Sequence, residues 1–182
     1  MTSWCPEYDA AHARRTPDPV QWRGVKKVHV MGICGTAMGA FAGMLKGRGF
    51  EVRGSDQGAY PPMSDQLELL GIEIFEGYDP ANLDWGPDVV VVCNVIRPDY
   101  PEAVEVRRRQ LPYCSLPQAL AALFIAGRES IVVTGTHGKT TTSSMTTWLL
   151  DQAELNPSFM IGGITGNFHT NHRVSRGPVF VV

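Results

Sequence analysis

The chain has 182 residues, 43% of them hydrophobic and 19% charged, with a formal net charge of −2. That length allows one or two domains, and the near-neutral balance gives no electrostatic footprint for nucleic acid or an anionic membrane surface. No stretch reaches the apolar length of a membrane span and no charged-then-apolar leader precedes a cleavage site, so a cytoplasmic location is expected.

Residues 1–26 carry Pro6, Pro17 and Pro19, several charges and no period. A poorly ordered extension is expected there, with Trp4 and Trp22 docking on the surface. The four cysteines, Cys5, Cys34, Cys93 and Cys114, are widely spaced and form no C-x-x-C pair. Free thiols are the simplest expectation. Cys34 sits inside a glycine turn, where small-residue packing accounts for it.

Val28-His-Val-Met31 reads as a short strand entering Gly32-Ile-Cys-Gly35-Thr-Ala-Met-Gly39. Apolar residues then recur at Met38, Phe41, Ala42 and Leu45, a helical stripe that ends at Gly47 and Gly49. A second strand, Phe50 to Arg53, finishes in Gly54-Ser55-Asp56. This is a βαβ unit with a glycine-rich first turn and an acid at the tip of the second strand. The glycines stand at 32, 35 and 39, which is not the G-x-G-x-x-G spacing, so NAD is a poor fit. The turn still favours a diphosphate at the helix N-terminus and a ribose or base near Asp56, while Asp56 by itself could equally be a helix or turn cap.

Ser64 is expected to cap a short helix from Asp65 to Leu70, which Gly71 stops. A third strand runs from Ile72 to Phe75. Val89-Val-Val-Val92 has no alternation and predicts a strand buried on both faces of a parallel sheet. It ends at Cys93-Asn94, where Asn94 either faces a ligand or caps the following loop. Pro101 to Gln110 reads as a polar helix, in which Arg107-Arg108-Arg109 is expected to be a solvated face. A strand at Leu111 to Cys114 and an Ala/Leu-rich helix from Ser115 to Ala126, with Pro117 in its first turn, complete the alternation. Residues 27–126 therefore predict a doubly wound, Rossmann-like parallel-sheet α/β domain.

Gly127 to Ser130 is expected to be a linker. Ile131 to Thr134 then reads as a buried strand, Gly135 to Gly138 as a turn, and Lys139 as the start of a helix reaching about Ala153 with Met145, Trp148, Leu149 and Gln152 in helical register. Such a turn aims backbone N–H groups and the positive end of a helix dipole at one point. Lys139 adds a mobile charge, and the Thr140 hydroxyl can ligate Mg²⁺, so the parts needed to hold a nucleoside triphosphate are present. The general pattern G-x-x-x-x-G-K-[ST] is met incompletely, because its first position falls on Val133. Phe159 to Ile161 and Val179 to Val182 read as strands. A chain that stops inside a buried strand is expected to be a fragment, with residues 127–182 the beginning of a second, P-loop α/β domain.

The string Thr134-Gly-Thr-His-Gly-Lys-Thr-Thr-Thr142 resembles the ATP loop of the Mur ligases, the ATP-dependent amide-bond formers of peptidoglycan synthesis. The segments Gly32 to Gly39, Gly54-Ser-Asp56, Tyr60-Pro-Pro-Met-Ser64 and Gly77-Tyr-Asp79 resemble the same family. They look closest to its members that join the tripeptide L-alanyl-γ-D-glutamyl-meso-diaminopimelate to UDP-N-acetylmuramate. The resemblance runs from about Lys27 to Asn167. It implies a UDP-sugar domain, a central ATPase domain and a third domain for the incoming peptide.

By that resemblance Gly32, Gly35, Thr36 and Met38 line the UDP diphosphate site, Ser55 and Asp56 lie near the ribose or uracil, and Asn94 and Asn167 contact the sugar nucleotide, Asn167 at its muramic acid. Gly135, Thr136, Gly138, Lys139, Thr140 and Thr141 would hold the ATP phosphates, with Thr140 on Mg²⁺ and His137 at the acyl phosphate. Asp99-Tyr100-Pro101 departs from the family's Asn-Pro, and residues 168–176 fit its pattern poorly. The L-alanine-adding relative and a non-catalytic UDP-sugar-binding module stand as alternatives.

Overall fold

A computed structural model describes residues 20–61 and 63–182. Most of the expected extension, with Trp4 and Cys5, therefore lies outside the described residues. Trp22 packs edge-on against Phe50, ring centroids 6.3 Å apart. The chain divides into two compact units, one ending at Ala119 and one running from Leu120 to Val182.

The first unit is built on five parallel strands, β1 (Lys27–Met31), β2 (Glu51–Asp56), β3 (Glu73–Glu76), β4 (Val89–Val92) and β5 (Tyr113–Ser115). Their order is β3-β2-β1-β4-β5. The connections run one way from β1 and the other way from β4, so the strand order switches beside β1, where open α/β sheets place their ligands. The all-valine β4 is buried throughout, as its lack of alternation requires.

Helix α1 (Thr36–Gly47) buries Met38, Phe41, Ala42 and Leu45, the stripe that the sequence predicts. Helix α2 (Met63–Leu69) corrects one expectation, because Ser64 lies inside it rather than capping it. The Ser64 N–H already donates to the Tyr60 carbonyl, so the turn before the helix supplies the first acceptor and the hydroxyl is left to Asp65.

Helix α3 (Pro101–Arg108) is less polar in effect than in sequence, since Glu102, Ala103, Glu105 and Val106 are buried. The arginine run is not simply a solvated face. Arg108 and Arg109 both donate to the Glu105 carboxylate, at 2.6 and 2.5 Å, and Arg109 also reaches Asp84 at 2.7 Å. Helix α4 (Leu116–Leu120) continues into a π-helical turn, Ala121–Ile125. A core of Met31, Leu83, Val90, Val92, Ile96, Ala103 and Val106 joins the sheet to α3.

The second unit carries β6 (Glu129–Ile131), α5 (Lys139–Gln152), β7 (Ser158–Met160), β8 (His172–Arg173) and β9 (Val179–Val181). The sheet order is β6-β9-β7-β8, with β8 antiparallel to β7. Two expectations change here. The strand expected at Ile131 to Thr134 lies at Glu129–Ile131, so the linker residues Glu129 and Ser130 belong to it, and these two are exposed rather than buried. Among the described strands β6 pairs with β9. Helix α5 turns Ser143 and Thr147 inward while Met145 and Leu149 stay largely exposed.

Candidate functional site

The first unit holds a cavity of about 540 Å³ at the carboxyl ends of β1, β2 and β4. Gly32, Cys34 and Gly35 of the first turn line it together with Asp56, Tyr60, Tyr78 and Cys93. Helix α1 starts here with Gly35 as its N-cap residue, no side-chain cap and no acid in its first turn. The positive end of the helix dipole therefore faces the cavity, an arrangement suited to an anion. Gly32 has a φ of +79°, and a Cβ on it would lie 2.8 Å from the Cys93 Cβ, so only glycine lets these two strand ends approach.

The Asp56 carboxylate closes the turn from below. It accepts the Cys34 N–H at 2.8 Å and the Gln57 N–H at 2.7 Å, so the turn-cap reading of this acid holds. Burial first, and the Asp56 charge second, push the Cys34 thiol up to about 11. The thiol stays protonated at neutral pH and is no nucleophile. Burial and the same charge raise the Tyr78 phenol, which keeps its proton as a hydrogen-bond donor.

Several residues implied by the resemblance are not cavity walls. Met38 is 2% exposed and belongs to the core face of α1, because a helix that starts at Thr36 turns its third residue inward. Ser55 is fully buried and donates to the Glu102 carboxylate beneath the turn, since alternation along β2 sends it away from the side Asp56 faces. Thr36 and Asn94 are exposed, and neither is among the lining residues. Sequence reasoning assigned no site role to Tyr60 or Tyr78, although both stand in the segments that carry the resemblance, Tyr60-Pro-Pro-Met-Ser64 and Gly77-Tyr-Asp79.

In the second unit, Gly138 is the N-cap residue of α5 with a φ of +75°, a left-handed turn that glycine adopts without strain. No side chain caps α5 and no acid stands in its first turn. Gly135, Thr136, His137, Gly138, Lys139, Thr140 and Thr141 are all exposed. The Lys139 ammonium folds over the turn and donates to the Gly135 carbonyl at 2.6 Å. His137 Nδ1 lies 3.2 Å from the Thr136 hydroxyl. Gly162 and Gly163 run beside Thr140, and a Cβ on either would sit within 3.8 and 3.5 Å of its side chain. The uncapped start of α5, the exposed Lys139 ammonium and the Thr140 hydroxyl are groups of the kind that hold a phosphate group and a magnesium ion.

Asn167 lines a separate cleft of about 150 Å³ with Ser144, Met145, Trp148 and Phe168. The loop that carries it is held by Thr165, whose N–H and hydroxyl both donate to the Thr170 carbonyl. The Arg173 guanidinium lies 4.9 Å from the Phe168 ring centroid and donates to Asp151 at 2.6 Å. Residues 168–176 carry β8, which pairs antiparallel with β7 through Phe159–Arg173 and Met160–His172.

The model of the Mur ligase family, catalytic domain, matches residues 27–128. The chain is 42% identical over 156 residues to the UDP-N-acetylmuramate–L-alanyl-γ-D-glutamyl-meso-2,6-diaminoheptandioate ligase of Escherichia coli K12, covering 86% of this chain and 34% of that protein. It is 44% identical over 155 residues to a UDP-N-acetylmuramate–L-alanine ligase of Kineococcus radiotolerans, covering 84% of this chain and 32% of that one. Among solved structures, the UDP-N-acetylmuramate:L-alanyl-γ-D-glutamyl-meso-diaminopimelate ligase from Neisseria meningitides superimposes with a TM-score of 0.83 at 43% identity, over 87% of this chain and 52% of that one. The chain spans about a third of the length of the curated relatives it matches.

Proposed function

The chain belongs to the Mur ligase family, and from that premise we propose that it forms the sugar-nucleotide-binding unit and the ATP loop of a ligase joining UDP-N-acetylmuramate to L-alanyl-γ-D-glutamyl-meso-diaminopimelate. The observation that carries this reading is the cavity beside β1, where the uncapped start of α1 meets the Asp56-closed glycine turn. A diphosphate suits that helix end, and the Tyr78 phenol supplies a donor beside it.

In the second unit, Gly135, Thr136, Gly138 and Thr141 would surround the triphosphate of ATP with backbone and hydroxyl donors, and Asn167 would meet the muramic acid. Lys139 would spread positive charge over the transferring phosphoryl group, the electrostatic contribution that dominates such sites. Thr140 would hold Mg²⁺, which when bound neutralises phosphate charge. His137 would stand at the acyl phosphate of the lactyl carboxylate, which the tripeptide amine attacks to form the amide.

The test is ATP-dependent ligation by the native gene product that carries this chain, with UDP-N-acetylmuramate and either the tripeptide or L-alanine as acceptor. Tripeptide-dependent release of ADP supports the reading. Turnover with L-alanine alone assigns the chain to the other branch. Saturable binding of UDP-N-acetylmuramate without turnover on either acceptor leaves a binding module.

A further inference from the structure

Beneath the cavity lies a buried polar cluster centred on Glu102, a residue to which none of the site roles above is given. Glu102, in the first turn of α3, is fully buried, as are His29 of β1 and Ser55 of β2. The Glu102 carboxylate accepts from His29 Nε2 at 2.5 Å, from the Ser55 hydroxyl at 2.9 Å and from the Asn82 amide at 3.0 Å. Trp85 donates its indole N–H to His29 Nδ1 at 3.3 Å. That donor leaves Nδ1 without a proton and places it on Nε2, facing Glu102. The carboxylate thus accepts from three side-chain donors, with the N-terminal end of α3 behind it.

What rests on this carboxylate is the cavity wall. The Ser55 carbonyl accepts the Gly32 N–H at 2.8 Å and the Ile33 N–H at 3.1 Å, so it carries the glycine turn. The Asn82 amide donates to the Gly77 carbonyl at 2.9 Å as well as to Glu102, and the Glu102 N–H donates to the Tyr78 carbonyl at 3.2 Å. The residues that follow Ser55 and Gly77 in the chain are Asp56 and Tyr78, both on the cavity wall. Glu102 itself does not line the cavity.

We infer that Glu102 is a positioning residue for the sugar-nucleotide site, fixing the glycine turn through Ser55 and the Tyr78 segment through Asn82. The inference rests on the sugar-nucleotide reading of the cavity. Glutamine has the shape of glutamate but replaces one acceptor oxygen with an amino group, so Glu102→Gln sets two donors against each other inside the cluster.

The experiment compares Glu102→Gln with Val106→Ala in the native gene product that carries this chain, using UDP as the probe. Val106 lies on the same helix, is fully buried in the core and has no part in the cluster. Glu102→Gln is expected to speed amide exchange of Gly32 and Ile33 and to raise the UDP Kd, each by about tenfold. Val106→Ala is expected to lower the melting temperature while leaving both unchanged. Equal effects of the two variants, or a folded Glu102→Gln chain with unchanged exchange at Gly32 and Ile33, overturn the inference.

If Glu102→Gln does not fold, ¹⁵N spectra of the wild-type His29 ring decide. An Nε2-protonated ring whose signals move on adding UDP supports the inference, and signals that stay put at saturation overturn it. Wild-type chain that fails to bind UDP overturns the sugar-nucleotide reading, and the exchange comparison still decides the role of Glu102.

Discussion

The Asp56 carboxylate accepts the Cys34 backbone N–H at 2.8 Å, tying the tip of β2 to the turn after β1. An acid that the sequence offers as a ribose contact or a cap therefore acts as a cap, and it does so from within the cavity wall. Removing it leaves the Cys34 N–H and the Gln57 N–H without their acceptor. Asp56→Ala is expected to destabilise the chain by about 1–2 kcal/mol and Asp56→Asn by less, because the amide keeps one acceptor oxygen. Urea denaturation midpoints check this. Equal losses in the two variants would show that the charge, rather than the hydrogen bonds, matters.

Gly32 meets two constraints at once, a φ of +79° and a Cys93 Cβ 2.8 Å from where its own Cβ would be. Left-handed strain and overpacking add, so Gly32→Ala is expected to cost about 2–4 kcal/mol. The neighbour is a strand end, which cannot swing away as a long side chain would. A thermal midpoint within error of wild type would contradict the close approach.

Lys139 is exposed and, among the described residues, donates to carbonyls of its own turn, Gly135 and Thr136. Lys139→Ala is accordingly expected to change folding stability by no more than about 0.5 kcal/mol. In the native gene product it should cut ATP-dependent ligation by at least about a hundredfold and leave UDP-sugar binding intact. Unchanged turnover removes the phosphate role from this residue.

The Arg108 and Arg109 guanidiniums hold the Glu105 carboxyl at about 2, well below its usual 4.5. A carboxyl with a depressed folded-state pKa contributes stability that is fully present above the unfolded value and is lost as pH falls through the folded one. The contribution should therefore be constant at neutral pH and fade between about 4.5 and 2. Glu105→Gln is expected to remove that part of the acid dependence. Urea midpoints of wild type and variant should differ at pH 7 and converge toward pH 2. A gap that does not narrow would mean that the Arg108 and Arg109 contacts contribute little.

Elements with a strong local signal are legible in the amino-acid sequence. The valine run of β4, the Met38-Phe41-Ala42-Leu45 stripe of α1 and the glycine turn into α5 each follow from patterns spanning a few residues. Where an expectation changed, the deciding partner lay far along the chain. Ser55 and Asp56 are neighbours, yet one is buried against Glu102, 47 residues away, and the other closes the Cys34 turn, 22 residues away. Arg109 looks solvated until Asp84, 25 residues earlier, comes beside it.

The sequence by itself determined the family, the alternation of strands and helices, and the two turns suited to phosphate, because glycine geometry and helix periodicity are local physics. Only the tertiary structure decided which of the candidate residues face the cavity, and that a buried glutamate supports it. Strand alternation and helix rotation send adjacent residues in opposite directions, and which direction meets a ligand depends on what the distant chain packs against each face.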